Sequence, residues 1–276
     1  MTMADLRAIE GQDSSAASAV EGVCLVCEGR AFDVVAEEMR DSDNHRVVRC
    51  DRCGMIQLCP LPSARDHEIF HREDRQSRGV GRDADAMAIA HRKAWDTARR
   101  AAWISRRLAP GAMVLDVGSG YGTLLGALAQ QGYRMLGLEL SKIRTEVSQQ
   151  LNSVPILEGD LYRLPKTVGP FDAITLIHVL EHLTEPVAAL RALRERLRPG
   201  GLLFVEVPNA EDLLLSASPA YRRFYWQRAH VGYFAAASLA EALRRAGWRW
   251  GEIQGIQRYG IENLMAWLVQ GAPQLE

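Results

Sequence analysis

Three ionisable side chains interrupt an apolar run in LIHVLEHLTEP, residues 176–186. They are His178, Glu181 and His182. Imidazole has an intrinsic pKa near neutrality, so His182 could act as a general base whose pKa or orientation is set by Glu181. Two other interpretations stay open. The histidines could hydrogen-bond to backbone while Thr184 caps the next helix, or the three groups could hold a metal ion.

Four cysteines form two CxxC pairs, Cys24 with Cys27 and Cys50 with Cys53. Each pair can place two thiolates on one side of a tight turn, and two such turns make a tetrahedral four-thiolate site. This site has no open coordination position, so we expect a structural zinc ion that helps a small module to fold. Reduced or redox-active pairs and a rubredoxin-like iron are the alternatives. Cys59 is predicted to be an ordinary thiol.

A glycine-rich turn in LDVGSGYG contains Asp116, Gly118 and Gly120. It lies between a predicted strand and a predicted helix, the context in which glycines let backbone amides approach a ligand. Glu139 ends the next apolar run, where a carboxylate can accept from both hydroxyls of a ribose. Asp160 follows the third run and can accept from an adenine amino group. Together they predict an adenosine pocket, with turn or capping carboxylates as the alternative.

These residues are positioned by an alternating pattern that begins near residue 112. Five short and almost continuous apolar segments are typical of strands buried on both faces of a parallel sheet. The segments are AMVLDV, RMLGLEL, VPILE, DAITLI and GLLFVEV. Residues 121–131, 141–152 and 184–198 separate them and are predicted to be helices. The pattern predicts a doubly wound α/β sheet, which binds ligands at the carboxyl ends of its strands.

The chain divides into four predicted units. They are a disordered tail over 1–22, a zinc-ribbon-like module over 23–62, a linker with N-terminal helices over 63–110, and the sheet domain over 111–276. Periodic apolar residues from Met87 to Leu108 predict one long helix in the linker unit. The zinc module and the sheet domain are expected to have separate cores.

Aromatic and basic residues are concentrated in YRRFYWQRAHVGYF, residues 221–234, inside a predicted substrate lid over about 211–236. Aromatic rings can form flat walls for a substrate ring, and arginines suit its phosphate or carboxylate group. A satellite hydrophobic cluster with solvated arginines is the alternative. Other arginine pairs, such as those at 99–100 and 106–107, are interpreted as solvated helix faces.

The composition limits the classes of partner. The chain has 276 residues and a formal net charge of −1, so it lacks the basic character that phosphate contacts need. Its apolar runs fall far short of the roughly 20 residues that span a bilayer. Residues 1–22 contain no apolar core of the signal-peptide kind. We expect a cytoplasmic protein whose partner is a small molecule rather than nucleic acid or a membrane.

The motifs VLDVGSGYG, GLEL, EGDL, FDAITLIHVLEHL and LRPGGLLFVEVPN resemble, in order and spacing, those of the class I S-adenosylmethionine-dependent methyltransferases. The resemblance covers roughly residues 112–210. It implies a Rossmann-like, mostly parallel, seven-stranded sheet and S-adenosyl-L-methionine as the cofactor. Gly118 and Gly120 would line its methionine part and Tyr121 would lie near its carboxylate. The full cofactor set implied is Asp116, Gly118, Gly120, Tyr121, Glu139, Leu140, Asp160, Leu161 and His178.

An N-terminal Cys₄ module before this domain is similar to nucleotide-sugar C-methyltransferases of antibiotic pathways. Those enzymes carry a Glu-His pair at the position of Glu181 and His182, with the His proposed as base. This implies O- or C-methylation of a nucleotide-sugar or natural-product intermediate that is anionic or contains a ring. Metal-dependent methyltransferases of small RNAs and ubiquinone precursors instead carry Glu-x-x-Glu-His here, with His178 in the place of the first Glu and His230 as a later ligand. RNA modification and a non-catalytic scaffold are the other function classes.

Overall fold

The computed structural model describes residues 22–74 and 86–274, and their strands form two sheets. In chain order the strands are β1 Phe32–Ala36, β2 Arg46–Cys50, β3 Ile56–Cys59, β4 Met113–Val117, β5 Arg134–Glu139, β6 Ile156–Glu158, β7 Phe171–Ile177, β8 Leu197–Glu206 and β9 Gly232–Tyr233. The α-helices are α1 Ala64–Arg72, α2 Ala86–Arg92, α3 Ala94–Ser105, α4 Thr123–Gln130, α5 Lys142–Leu151, α6 Pro186–Arg194, α7 Leu213–Ala217, α8 Pro219–Tyr225, α9 Ala236–Arg245 and α10 Ile261–Val269. Two 3₁₀ turns span Leu161–Arg163 and Leu180–His182. Except for its last residue, the predicted tail over 1–22 lies outside the described residues.

The larger sheet is parallel, with strand order β6-β5-β4-β7-β8. Its central strands are buried on both faces, as the continuous apolar runs indicated, and Leu115 and Ile174 have no exposed surface. The chain leaves β4 for β5 and β6 on one side and returns to β7 on the other. The strand order therefore reverses next to β4, which opens a crevice at the carboxyl ends of β4, β5 and β7. The predicted doubly wound α/β fold is confirmed.

The described sheet has five strands, whereas the resemblance implied seven. Residues 246–260, which follow α9, contain no strand. Gly251, Gly255 and Gly260 interrupt this segment, and glycine has a low propensity for strands.

The helices between the strands agree closely with the predicted segments, but two local predictions need correction. The long helix expected from Met87 is interrupted at Lys93, which separates α2 from α3, and Met87 is 73% exposed rather than part of a buried stripe. Helix α6 has Glu185 at its N-cap without a side-chain cap, so Thr184 does not cap it, although Pro186 occupies the first turn. Within the described ranges, no helix is long and apolar enough to cross a bilayer.

The smaller sheet is antiparallel, with strand order β1-β2-β3-β9. Strands β1, β2 and β3 belong to the cysteine module, but β9 lies far along the chain, directly before α9. Ile56 pairs with Tyr233, and the Leu58 N–H donates to the Val231 carbonyl at 3.1 Å. The module therefore completes its sheet with a strand from the sheet domain.

The expectation of separate cores is wrong. Cys24, Val26 and Met55 of the module lie in the same buried cluster as Leu176 and Leu180 of the larger sheet domain. The pairing of β3 with β9 joins the module to the sheet domain, and residues of its cysteine turns share this cluster. The module and the sheet domain are one packed unit in the described residues.

Candidate active site

Two glycines of the turn after β4 adopt the left-handed conformation, with φ of 67° at Gly118 and 57° at Gly120. A Cβ on Gly118 would lie 2.4 Å from Cγ2 of Val179, so a side chain has no room there. A Cβ on Gly120 would meet no atom closer than 3.9 Å. The backbone of Gly120 is therefore open on that side, as a ligand-binding turn requires.

Asp116 lies at the end of β4, beneath the turn, and is 3% exposed. Its Oδ1 accepts a hydrogen bond from Thr175 Oγ1 at 2.5 Å. Burial raises the pKa of Asp116 to about 7, because desolvation disfavours the charged carboxylate. Tyr121 follows the turn, with Lys93 Nζ 5.3 Å and Arg144 Cζ 5.6 Å from its ring centroid. Arg144 is already paired with the Asp74 carboxylate, so Lys93 is the cation that suits a carboxylate beside Tyr121, the position predicted for the cofactor's carboxylate.

Glu139 at the end of β5 connects two backbone segments of the site. Its Oε2 accepts the Gly120 N–H at 2.7 Å, and its Oε1 accepts the Ser141 N–H at 2.9 Å, where α5 begins. A carboxylate has about four acceptor positions, so these two bonds leave capacity for two further donors. Glu139 is thus fixed by the turn and could still accept from ribose hydroxyls. Leu140 follows it and is half-buried.

Asp160 lies after β6, as the sequence placed it, and caps the 3₁₀ turn Leu161–Arg163. Its Oδ1 accepts the Tyr162 N–H at 2.9 Å, while Leu161 is 9% exposed. A capping bond leaves the second carboxylate oxygen available, so the capping and adenine-binding roles are compatible.

His178 follows β7 in a left-handed conformation with φ of 54° and is held by two carboxylates. Its Nδ1 lies 3.1 Å from Glu181 Oε1, and its Nε2 lies 3.4 Å from Glu206 Oε1. Burial lowers the pKa of His178, but the bonds to Glu181 and Glu206 outweigh burial and raise it overall. Arg99 and Arg100 of α3 also bind Glu206, at 2.9 and 2.6 Å, with side chains only 17% and 11% exposed. The interpretation of the arginines at 99–100 as a solvated face is therefore wrong.

His182 lies in the 3₁₀ turn after β7, and its Nδ1 lies 2.7 Å from the Ala229 carbonyl oxygen. A carbonyl only accepts, so Nδ1 carries the proton and Nε2 carries the lone pair. Burial lowers the pKa of His182 and outweighs the nearby charge of Glu181. Glu181 hydrogen-bonds to His178 and not to His182. The ring of His230 packs edge-on against His182, with centroids 4.8 Å apart.

Two histidines of α1, His67 and His71, also belong to this cluster, and we did not predict them. The His67 Nε2 lies 2.5 Å from the His182 carbonyl oxygen, and the ring of His71 lies 4.7 Å from that of His182. The signal was present in HEIFH, because a spacing of four places both imidazoles on one helix face. Local pattern does not indicate which surface this face would meet.

Several buried polar atoms at this edge of the sheet have no hydrogen-bond partner within the described residues. They include Ser119 Oγ and Glu181 Oε2. Unpartnered buried polar atoms are costly, and their concentration beside the glycine turn fits a site that a polar ligand completes. Glu181, His182 and His230 also place one possible metal-ligand atom each within 4.8 Å of one another, while His178 is not in that group.

The four cysteines predicted to bind zinc come together. Their sulfur atoms all lie within 4.8 Å of one another, and the Sγ–Sγ distances of Cys24 to Cys53 and Cys27 to Cys50 are both 3.5 Å. These separations and the four-thiolate donor set fit a tetrahedral zinc site. Cys59 lies outside the cluster, in β3.

Most aromatic rings of residues 221–234 are not available to a substrate. Trp226 and Tyr233 are 2% and 1% exposed and pack on β2 and β3, whereas Tyr221 packs on Trp267 of α10. These rings form the satellite hydrophobic clusters that were the alternative to flat walls. The part of this segment that reaches the site is its short link between α8 and β9, through the Ala229 carbonyl and His230.

Comparisons with known proteins identify the family of the chain. A family described as "Methyltransferase domain" matches residues 87–251. A ubiquinone biosynthesis O-methyltransferase of Xanthomonas axonopodis pv. citri (strain 306) is 31% identical over 171 residues, which cover 57% of this chain and 71% of the relative. Its counterpart in Xylella fastidiosa (strain 9a5c) is 33% identical, with 56% and 68% covered. The match to the ubiquinone biosynthesis O-methyltransferase of Xanthomonas campestris pv. campestris (strain B100) covers 48% of that relative, so the chain spans about half of its length.

Among solved structures, magnesium protoporphyrin IX methyltransferase from Synechocystis PCC 6803 is similar to this chain with a TM-score of 0.49 and 20% identity, covering 67% of this chain and 89% of that one. The family match spans more than half of the 276 residues and includes the glycine turn with His178, His182 and His230. The chain therefore belongs to the class I S-adenosylmethionine-dependent methyltransferases.

Proposed function

We propose that this methyltransferase methylates a hydroxyl oxygen of a small-molecule acceptor and that His182 is the general base. The observation that carries the proposal is the bond between His182 Nδ1 and the Ala229 carbonyl, at 2.7 Å, because it leaves the Nε2 lone pair free at the carboxyl edge of the sheet. The names of the relatives, which are O-methyltransferases, support oxygen over carbon as the acceptor atom. The candidate acceptors are natural-product intermediates and nucleotide-linked sugars.

The residues around the glycine turn fit S-adenosyl-L-methionine. Gly118 and Gly120 would let the backbone approach its methionine part, Glu139 would accept from its ribose hydroxyls, and Asp160 with Leu161 would hold its adenine. When bound, the cofactor supplies an electrophilic methyl group on a sulfonium. The protein is then left with two tasks, which are to align the acceptor and to remove its proton.

His182 suits the second task. Its lowered pKa keeps the imidazole neutral at pH 7, so Nε2 can take the proton of the acceptor hydroxyl. His178 and Glu181 are hydrogen-bonded to each other across the start of the 3₁₀ turn that carries His182. His230 packs on the ring of His182.

The four-cysteine cluster would hold a structural zinc ion. Four thiolates leave no open coordination position, so Cys24, Cys27, Cys50 and Cys53 have no direct part in the transfer. Gly29 permits this packing, since a Cβ there would lie 3.2 Å from both Cys27 Sγ and Cys50 Sγ.

The test is His182→Ala, assayed with a panel of phenols, hydroxylated polyketides and nucleotide sugars. Loss of a general base should lower turnover about 100-fold or more, while affinity for S-adenosylmethionine stays within about 2-fold. His91→Ala, an exposed histidine of α2, is the matched control. Near-normal turnover of His182→Ala would show that His182 is not the base and that the histidine cluster has a structural role.

Two further measurements separate the alternatives. Chelator-sensitive turnover that returns only with an added divalent metal would assign Glu181, His182 and His230 to metal binding. RNA binding that weakens steeply with salt, with no activity on small molecules, would replace the proposal with RNA modification.

A further inference from the structure

Helix α1 contacts the rest of the protein through Phe70, which lies against Arg228, and through two histidines. It begins at the N-cap Ser63, whose Oγ accepts the Asp66 N–H at 3.1 Å, and His67 is its one buried residue. His67 is 5% exposed, and His71 lies one turn later on the same face. A helix usually buries an apolar stripe, so the burial of the polar His67 imidazole points to a role beyond packing.

The hydrogen bonds of His67 fix its tautomer and connect it to the backbone of His182. Arg228 Nη1 lies 3.0 Å from His67 Nδ1, and arginine only donates, so Nδ1 is the acceptor. The proton is therefore on Nε2, which lies 2.5 Å from the His182 carbonyl oxygen. His67 thus holds the carbonyl at the end of the 3₁₀ turn.

His71 contacts the imidazole ring of His182 itself. The two rings meet edge-to-face, with centroids 4.7 Å apart and planes inclined by 69°. His71 Nε2 also lies 3.1 Å from His67 Nε2, so the two α1 side chains are in contact. The ring of His182 is thus constrained by His71, by His230 and by the Ala229 carbonyl.

We infer that His67 and His71 are positioning residues that hold the imidazole of His182 with Nε2 directed as a base, an inference that rests on the function proposed for His182. His67 would fix the backbone of the turn, and His71 would prevent rotation of the ring. A displacement of a base by about 1 Å can cost on the order of 100-fold in rate, so contacts of this kind matter for turnover.

The experiment uses matched pairs of variants in the full chain. His71→Phe keeps an aromatic edge and His71→Ala removes it, while His67→Gln keeps an N–H donor and His67→Leu removes it. We expect His71→Ala and His67→Leu to lower kcat about 10-fold or more, with KM for S-adenosylmethionine changed less than about 2-fold. His71→Phe and His67→Gln should recover most of kcat, and His91→Ala should match the wild type.

A spectroscopic measurement makes the test independent of activity. In ¹⁵N-histidine-labelled protein, the His182 imidazole, assigned by its loss in His182→Ala, should show one Nδ1–H tautomer, and His71→Ala should convert it to a mixture. An unchanged tautomer, or a His71→Phe variant as slow as His71→Ala, would overturn the inference. Normal turnover of His182→Ala would instead refute the proposed base, while the tautomer comparison would still decide whether His71 positions the ring.

Discussion

Replacement of Glu139 by alanine should have two separable effects, because its carboxylate has both a structural and a proposed ligand-binding role. It accepts the N–H groups of Gly120, at 2.7 Å, and of Ser141, at 2.9 Å. Ser141 has no exposed surface, so no water can replace the lost acceptor there, whereas Gly120 is partly exposed. Glu139→Ala therefore leaves one buried amide and one partly buried amide without partners.

The expected magnitudes follow from these contacts. An unsatisfied buried N–H costs about 1–3 kcal/mol and a partly hydrated one costs less, so the free energy of unfolding should fall by about 2–4 kcal/mol. Loss of two ribose hydroxyl bonds to a charged acceptor should weaken cofactor binding by about 2–3 kcal/mol, or roughly 30- to 150-fold. Glu139→Gln keeps one acceptor oxygen and should lose about half of each amount.

Urea denaturation without cofactor measures the first effect, and calorimetric titration with S-adenosylhomocysteine measures the second. Glu158→Ala is the matched control, because Glu158 ends the neighbouring strand β6 but is exposed. Unchanged stability of Glu139→Ala would refute the role assigned to the two amide bonds. Lower stability with unchanged affinity would refute the ribose assignment alone.

Three other predictions concern the rest of the site. In Cys27→Ser, elemental analysis should find about one equivalent of zinc less than in the wild type. The Tm of the larger sheet domain should also fall, because Cys27 lies in the shared core, and loss of zinc with an unchanged Tm would contradict this. The pKa of Asp116 is raised to about 7, so the folded protein binds more protons than the unfolded chain between about pH 4 and 7. The free energy of unfolding therefore falls by up to about 4 kcal/mol as the pH rises through this range. Asp116→Asn keeps an oxygen that can accept from Thr175 but cannot ionise, so its free energy of unfolding should differ less between pH 5 and pH 8 than that of the wild type. An equal difference in both proteins would refute the prediction. Gly118→Ala should lower both Tm and turnover, since its Cβ would lie 2.4 Å from Val179 Cγ2, and wild-type values for both would show that the turn adjusts freely.

The parts of the structure that could be predicted from sequence are those that local pattern determines. Glu139 and the glycine turn follow from strand periodicity and motif spacing, and the two cysteine pairs follow from their own spacing. Arg99 was misinterpreted because its partner, Glu206, is 107 residues away and only the fold brings them together. His71 was missed for the same reason, since helix α1 is polar and its partner His182 is far away in the sequence. The two-residue strand β9 is too short for any periodic signal.

The pairing of β3 with β9 has a consequence for how this protein can be divided and made. During synthesis, the cysteine module emerges long before Gly232, so β3 remains an unpaired edge until almost the whole sheet domain has been translated. A fragment that ends before β9 would keep that edge exposed, and unpaired edges promote association between chains. The N-terminal module should therefore not be treated as an independent domain that can be deleted or transferred to another protein. Its natural boundary in space includes residues 226–234, and a working excision or chimera would have to carry both segments together.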